Sequence, residues 1–178
     1  EEAVMGSILA ILGLGEDWVQ EKPLGIIAIA DALSVSSSLN KLNVLSNSIG
    51  DEGYEILTKV AEEKGIFTLV GFDEGQTEAD LSNKNLGPID AKLIARELTT
   101  GFVSTSMNKL NVLSTFISPE GGQALVDAAP PQLQTFCGFE EGQTEANLSK
   151  KSLRPGDAVI LAWDLTTGYV STSLNSLK

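Results

Sequence analysis

Residues 71–78 (GFDEGQTE) and 138–145 (GFEEGQTE) gather the side chains best suited to chemistry: Asp73, Glu74 and Glu78 in the first, Glu140, Glu141 and Glu145 in the second, each set beside glycines. Carboxylate oxygens among glycines suit calcium, but the spacing reproduces neither the EF-hand loop nor the glycine–aspartate nonapeptide repeat. No metal is expected. The segments read as solvated loops whose repetition makes Asp73, Glu74, Glu140 and Glu141 candidates to touch a partner. The chain contains no histidine, which removes Ser-His-Asp and Cys-His nucleophilic sites and the common imidazole-bound zinc, copper and iron centres. Its single cysteine, Cys137, can form neither an intramolecular disulfide nor a thiolate cluster and reads as a small buried apolar residue. Residues 13–17 (GLGED) lack the later glycine and the lysine of a phosphate loop. No carboxylate pair is marked by its spacing as held in a cleft for glycoside hydrolysis. Neither an enzyme nor a cofactor is expected.

Charge narrows the partner. Twelve Lys and Arg stand against 24 Asp and Glu, a formal net charge of -12, which disfavours nucleic acid and anionic membranes and favours another protein with a basic or neutral surface. The apolar content of 42% is that of a chain that folds. The longest apolar run, residues 4–15 (VMGSILAILGLG), is too short to span a bilayer and follows Glu1 and Glu2 rather than a basic start, so no transmembrane span is expected. The lone cysteine points to a reducing compartment or to a chain that needs no disulfide staples, and an intracellular location, cytoplasmic or organellar, is expected.

The elements that must position these residues are set by an internal repeat. Residues 71–110 align without a gap on 138–177, with 26 of 40 positions identical, and residues 39–53 (LNKLNVLSNSIGDEG) match 107–121 (MNKLNVLSTFISPEG) at 10 of 15. A period of 67 is too long for one supersecondary unit and divides into two. In the shorter unit Asp51 is placed to cap a helix with Ile56, Leu57, Val60 and Ala61 on one stripe. Its later equivalent begins at Pro119 and must stop before Pro130 and Pro131. In the longer unit residues 90–98 and 157–165 form helices, the first with an apolar face of Ala91, Ile94, Ala95 and Leu98. Residues 24–33 (LGIIAIADAL) resemble such a helix, and Trp18 reads as a packing residue. The loops at 99–106 (TTGFVSTS) and 166–173 (TTGYVSTS) are polar connections, with Phe102 and Tyr169 placed to plug between neighbouring units.

Leu39, Leu42, Val44, Asn47 and Ile49 occupy the pattern LxxLxLxxNxI, followed by Gly50 and a helix-like stretch. This resembles the leucine-rich repeat, in its ribonuclease-inhibitor-like subclass. The resemblance implies an α/β solenoid, a right-handed curved stack with short parallel strands on the concave face and helices on the convex face. Residues 1–38 would be a degenerate N-terminal coil or cap. The array would run over 39–178, divided at 39–65, 66–106, 107–132 and 133–173, with another unit beginning at 174–178. Asn47 would satisfy backbone groups of neighbouring coils, with Lys84, Thr115 and Lys151 standing where asparagine is expected and leaving that role to water or other side chains. The acidic segments would bulge outward as inserts. The positions between the leucines, Asn43, Asp80, Asn111 and Asn147, would line the inner face beside Asn40, Lys41, Asn108 and Lys109. Leu45 and Leu113, if exposed, would be small apolar anchors. The resemblance further implies a non-enzymatic scaffold for protein–protein interaction, using the concave face and the acidic loops. The alternative is a structural subunit of a larger assembly, photosynthetic or cytoskeletal, docked through an open edge after Leu174 and Leu177.

Overall fold

A computed structural model describes residues 24–100 and 103–178. Trp18, Phe102, the apolar run at 4–15 and residues 13–17 fall outside the described residues. Among the described residues five helices form where the apolar periodicity and the punctuation require: α1 (Leu24–Val35), α2 (Gly50–Lys64), α3 (Pro88–Thr99), α4 (Pro119–Asp127) and α5 (Pro155–Thr166). Proline opens α3, α4 and α5, where its missing N–H costs nothing and its fixed φ suits the first turn. The Ser118 hydroxyl caps α4 by accepting the Gly121 N–H at 3.2 Å, and the helix ends before Pro130 as its sequence predicts. Asp51 is not the cap of α2. It lies inside the first turn behind Ile49, which makes no side-chain cap bond, and its carboxylate pairs with Lys92 of α3.

Among the described residues four strands accompany the helices: β1 (Glu78–Asp80), β2 (Lys109–Asn111), β3 (Glu145–Ala146) and β4 (Ser176–Leu177). They pair in parallel as β1–β2, with Ala79 opposite Leu110, and β3–β4, with Ala146 opposite Leu177. These are separate two-stranded sheets. The expected leucine-rich-repeat solenoid, with short parallel strands on a concave face, is thereby corrected: among the described residues five helices and two short two-stranded sheets form, without a continuous strand layer to supply that face.

The interruption has a local cause. Between residues 41–43 and 68–70 the pairing shrinks to single bridges, Lys41 with Thr68 in parallel and Asn43 with Val70 in antiparallel, and the same switch recurs between β2 and residues 135–137, at Lys109–Thr135 and Asn111–Cys137. The Thr68 hydroxyl accepts the N–H groups of Val70 (3.2 Å) and Gly71 (2.9 Å), and Thr135 accepts those of Cys137 (3.0 Å) and Phe139 (3.2 Å). Backbone donors bonded to their own threonine cannot extend a ladder. Gly71 and Gly138 then turn the chain at φ +89° and +71°, a left-handed conformation that glycine adopts without a Cβ penalty.

One apolar core joins all of this, built on Leu57, Leu69, Leu86, Leu110, Phe136 and Ile160. Phe136 packs edge-on to Trp163 with ring centroids 5.0 Å apart. The helices pack in chain order, and the α2–α3 contact is the thinnest. Val103 and Val170 are fully buried, whereas Tyr169, expected to be the plug, is half-buried at the core's margin. The hydrophobic stripe of α3 also contains Leu93, and the helices bury four carboxylates that an apolar face would exclude: Asp90, Glu97, Asp157 and Asp164.

Each carboxylate meets backbone donors. Asp90 accepts the Gly87 N–H (2.7 Å) and the Ser46 N–H (2.9 Å), and Asp157 accepts those of Arg154 (2.7 Å) and Ser114 (2.9 Å), so each caps its own helix and holds the preceding turn. Seven residues on, Glu97 accepts the Leu69 N–H at 2.9 Å, and Asp164 accepts those of Phe136 (2.8 Å) and Cys137 (2.9 Å) together with the Thr135 hydroxyl. Burial pushes the carboxyls of Asp90, Glu97 and Asp164 above their ordinary value, and the N–H donors partly oppose it. Burial likewise pushes the Cys137 thiol up, helped by the nearby Asp164 charge, consistent with an inert packing residue.

Two stability predictions follow from this core. Leu110, fully buried, becomes an unpaired buried charge as Leu110→Asp, and urea titration should show a loss above about 4 kcal/mol or no fold at all, whereas the half-buried Leu42→Asp should remain folded. Asp164→Asn replaces one acceptor oxygen by a donor group facing other donors, and should lower the unfolding free energy by roughly 1–3 kcal/mol in the same titration.

Candidate functional site

The strand side carries the residues singled out for partner contact, and each is set by a local device. Asn43, Asp80, Asn111 and Asn147 do not present free side chains. Each carboxamide or carboxylate oxygen accepts the N–H two residues on, from Leu45 (3.0 Å), Ser82 (2.9 Å), Leu113 (3.2 Å) and Ser149 (2.9 Å) respectively. This is the Asx turn, which asparagine and aspartate favour because their short side chains mimic a turn of backbone. It directs the chain into the left-handed residues Ser46, Asn83, Ser114 and Lys150 that follow. The expected row of open amides is therefore half committed to turn formation. Asn43 and Asn111 are committed further: a Cβ at Gly71 or Gly138 would approach their side chains to 3.1 Å and 2.8 Å, so the glycines let the amides lie flat against the chain.

Asn47 was expected to serve neighbouring coils. It serves its own turn instead, donating through Nδ2 to the carbonyls of Val44 (2.9 Å) and Leu45 (3.0 Å). Thr115 does the same with Val112 at 2.9 Å, so this turn needs no water to replace the asparagine. Leu113 is buried and Leu45 is half-buried against the core. Leu113 is thus not an exposed anchor, because its turn folds it inward.

The acidic segments are stitched rather than loose. Gln76 accepts the Asp73 N–H (2.9 Å) and donates to the Glu78 carbonyl (2.7 Å), and Gln143 repeats both bonds with Glu140 (3.0 Å) and Glu145 (2.7 Å). Buried Phe72 and Phe139 anchor their bases. The expected outward loop holds for the exposed Asp73, Glu74, Glu140 and Glu141, but the segments are compact turns.

Lysines pair with the carboxylates. Lys41 pairs with Asp73, Lys109 with Glu140 and, at 3.9 Å, with Glu78, and Lys178 with Glu145 at 3.1 Å. The Lys109 side chain is 21% exposed against 71% for Glu140 and 65% for Glu78, so the carboxylates form the outer layer. The hydrogen bond to Glu140 holds the Lys109 ammonium above its ordinary value. Asp80, Asn111 and Glu140 meet around Lys109 in an open hollow of about 230 Å³. Asn111, Leu113 and Asn147 line a second, of about 170 Å³, with Cys137 and Lys151. Asn43, Leu45, Asp73 and Glu74 line neither.

Among the described residues no group of three or more cysteine or carboxylate side chains converges to hold a metal ion, and no helix is long and apolar enough to cross a membrane. The four buried acids, Thr68, Thr135 and the two glutamines escaped the sequence reading. Their signal was available: each recurs at the offset of 67, and an acid that recurs on the apolar stripe of a helix marks a paired buried group. No protein-family model matches the chain, and no curated protein matches its sequence at a significant level.

Asn111→Ala removes the acceptor for the Leu113 N–H and the packing on Gly138. A destabilisation of about 1 kcal/mol is expected from thermal unfolding, while Lys109→Ala, removing only solvent-screened pairs, should cost less than that.

Proposed function

We propose that this chain is a non-enzymatic scaffold for protein–protein interaction, binding a partner with a basic or neutral surface through the stitched acidic turns. The observation that supports this most is the layering: Asp73, Glu78 and Glu140 stand further out than the lysines that pair with them. Carboxylates fixed by glutamine-stitched turns lose little freedom when a cation approaches, which favours recognition. Asp80, Asn111 and Asn147 add donors and acceptors beside them, and complementarity of this kind acts chiefly on partner choice and on-rate.

A second reading, a structural subunit of a larger assembly, draws on β4. Its outer edge has no strand partner among the described residues, and Leu177 is 49% exposed. Exposed strand edges favour pairing with another chain.

The native mass in gently lysed source material separates the two. For a scaffold, the chain should co-migrate with a partner that dissociates at raised salt. Joint neutralisation by Asp73→Asn, Glu74→Gln, Glu140→Gln and Glu141→Gln should abolish that co-migration without lowering the unfolding temperature. Co-migration in a salt-resistant assembly that survives neutralisation would replace the scaffold reading by the subunit reading.

A further inference from the structure

Glu97 and Asp164 hold the same place in the two repeats, yet their surroundings differ. Asp164 receives three donors on two oxygens, two backbone N–H groups and the Thr135 hydroxyl. Both oxygens already accept, so a proton there would displace a bond, and these donors oppose the upward push that burial gives its carboxyl. Glu97 is fully buried, the Leu69 N–H on Oε1 is its one backbone donor, the Thr68 hydroxyl faces the carboxylate, and Oε2 accepts no hydrogen bond. A bare carboxylate oxygen in an apolar setting is costly, and a proton relieves most of that cost.

The charges around Glu97 do not restore the balance. Arg96, on the same helix, comes to 3.6 Å of Oε1 but is shared with Glu62 of α2, also at 3.6 Å. The strand segment contributes the Thr68 hydroxyl and no charge. The remaining charged residues of α2, and Glu120 and Asp127 of α4, are exposed to solvent. Glu97 also ties residues 66–70 to α3 across the thinnest of the helix contacts, that between α2 and α3.

We propose that Glu97 is a pH-sensitive joint: protonated, it holds residues 66–70 closed on α3; ionised, it releases them, while the equivalent joint at Asp164, met by three donors, opens less. The direction follows from the neutral form being the one the fold prefers. The stabilisation is fully present below the ordinary glutamate range, about 4.3, and is lost as pH rises through the higher value Glu97 has in the fold. What opens lies under the cleft formed by Ile66, Phe67, Glu74 and Arg96, so rising pH would expose that cleft's floor on one repeat alone.

Amide hydrogen exchange of the full chain between pH 5 and 8, corrected for intrinsic exchange, tests this. The Leu69 protection factor should fall by up to about tenfold per pH unit between the ordinary glutamate range and the higher value Glu97 has in the fold, and level off above it, while that of Phe136 falls less steeply. Glu97→Gln, neutral at every pH, should retain Leu69 protection and abolish its pH dependence. Flat or rising protection of Leu69, an equal fall at Phe136, or a fall that persists in Glu97→Gln would each overturn the proposal. Should Glu97→Gln fail to fold, the unmodified chain still decides: the side-chain carboxyl carbon shift of Glu97 must titrate above the ordinary glutamate range, about 4.3, and a titration at or below that range overturns it.

Discussion

Four buried carboxylates facing backbone N–H groups are the constraint on which this fold depends. Strands of two or three residues cannot satisfy their own backbone, and an unpaired buried N–H is expensive. The donors of Ser46, Leu69, Ser114, Phe136 and Cys137 instead find Asp90, Glu97, Asp157 and Asp164. Each bond joins a helix to a segment at least 27 residues earlier in the chain. Because the acids sit seven apart on α3 and on α5, they share one helix face, and a rotation by a single residue would carry both away from their donors.

The strand-side surface inherits its order from these joints. With the turns at 44–46 and 112–114 pinned from behind by Asp90 and Asp157, the asparagines ahead of them close Asx turns in front. The glycines at 71 and 138 can then lie against Asn43 and Asn111. The acidic turns project from that base, and the lysines of the neighbouring segments pair with them because the parallel register brings Lys109 beside Glu78 and carries it on toward Glu140. Chemistry that looks local in sequence, eight residues with three acids, is held by contacts with the next unit.

Close packing between α4 and α5 shows the same dependence on neighbours. A Cβ on Gly156 would lie 2.3 Å from the Ile117 carbonyl, and one on Gly122 would lie 2.8 Å from the Gly156 carbonyl. Glycine at these positions allows backbone to meet backbone, and the α4–α5 contact is the most extensive between helices. The earlier α2–α3 junction, with Glu97 half-satisfied, is the weaker counterpart. Two repeats of one pattern thus differ in how firmly they are closed.

Much was legible in the residues themselves. The repeat, the helices at Leu24–Val35, Pro88–Thr99, Pro119–Asp127 and Pro155–Thr166, the burial of Cys137 and the exposure of Asp73, Glu74, Glu140 and Glu141 follow from periodicity, proline placement and charge, which act over a few residues. The strand layer was misjudged because apolar alternation at Leu42 and Val44 speaks only of facing, whereas ladder continuity turns on where each N–H goes. Thr68 and Thr135 divert those donors, and nothing in their immediate neighbours announces it. Likewise an aspartate on a helix reads as solvent-facing until its distant donor is known. Local order was determined by sequence; which polar groups met, and hence that Leu113 turns inward and the sheets break in two, was decided only when segments far apart in the chain came together and buried donors had to find acceptors.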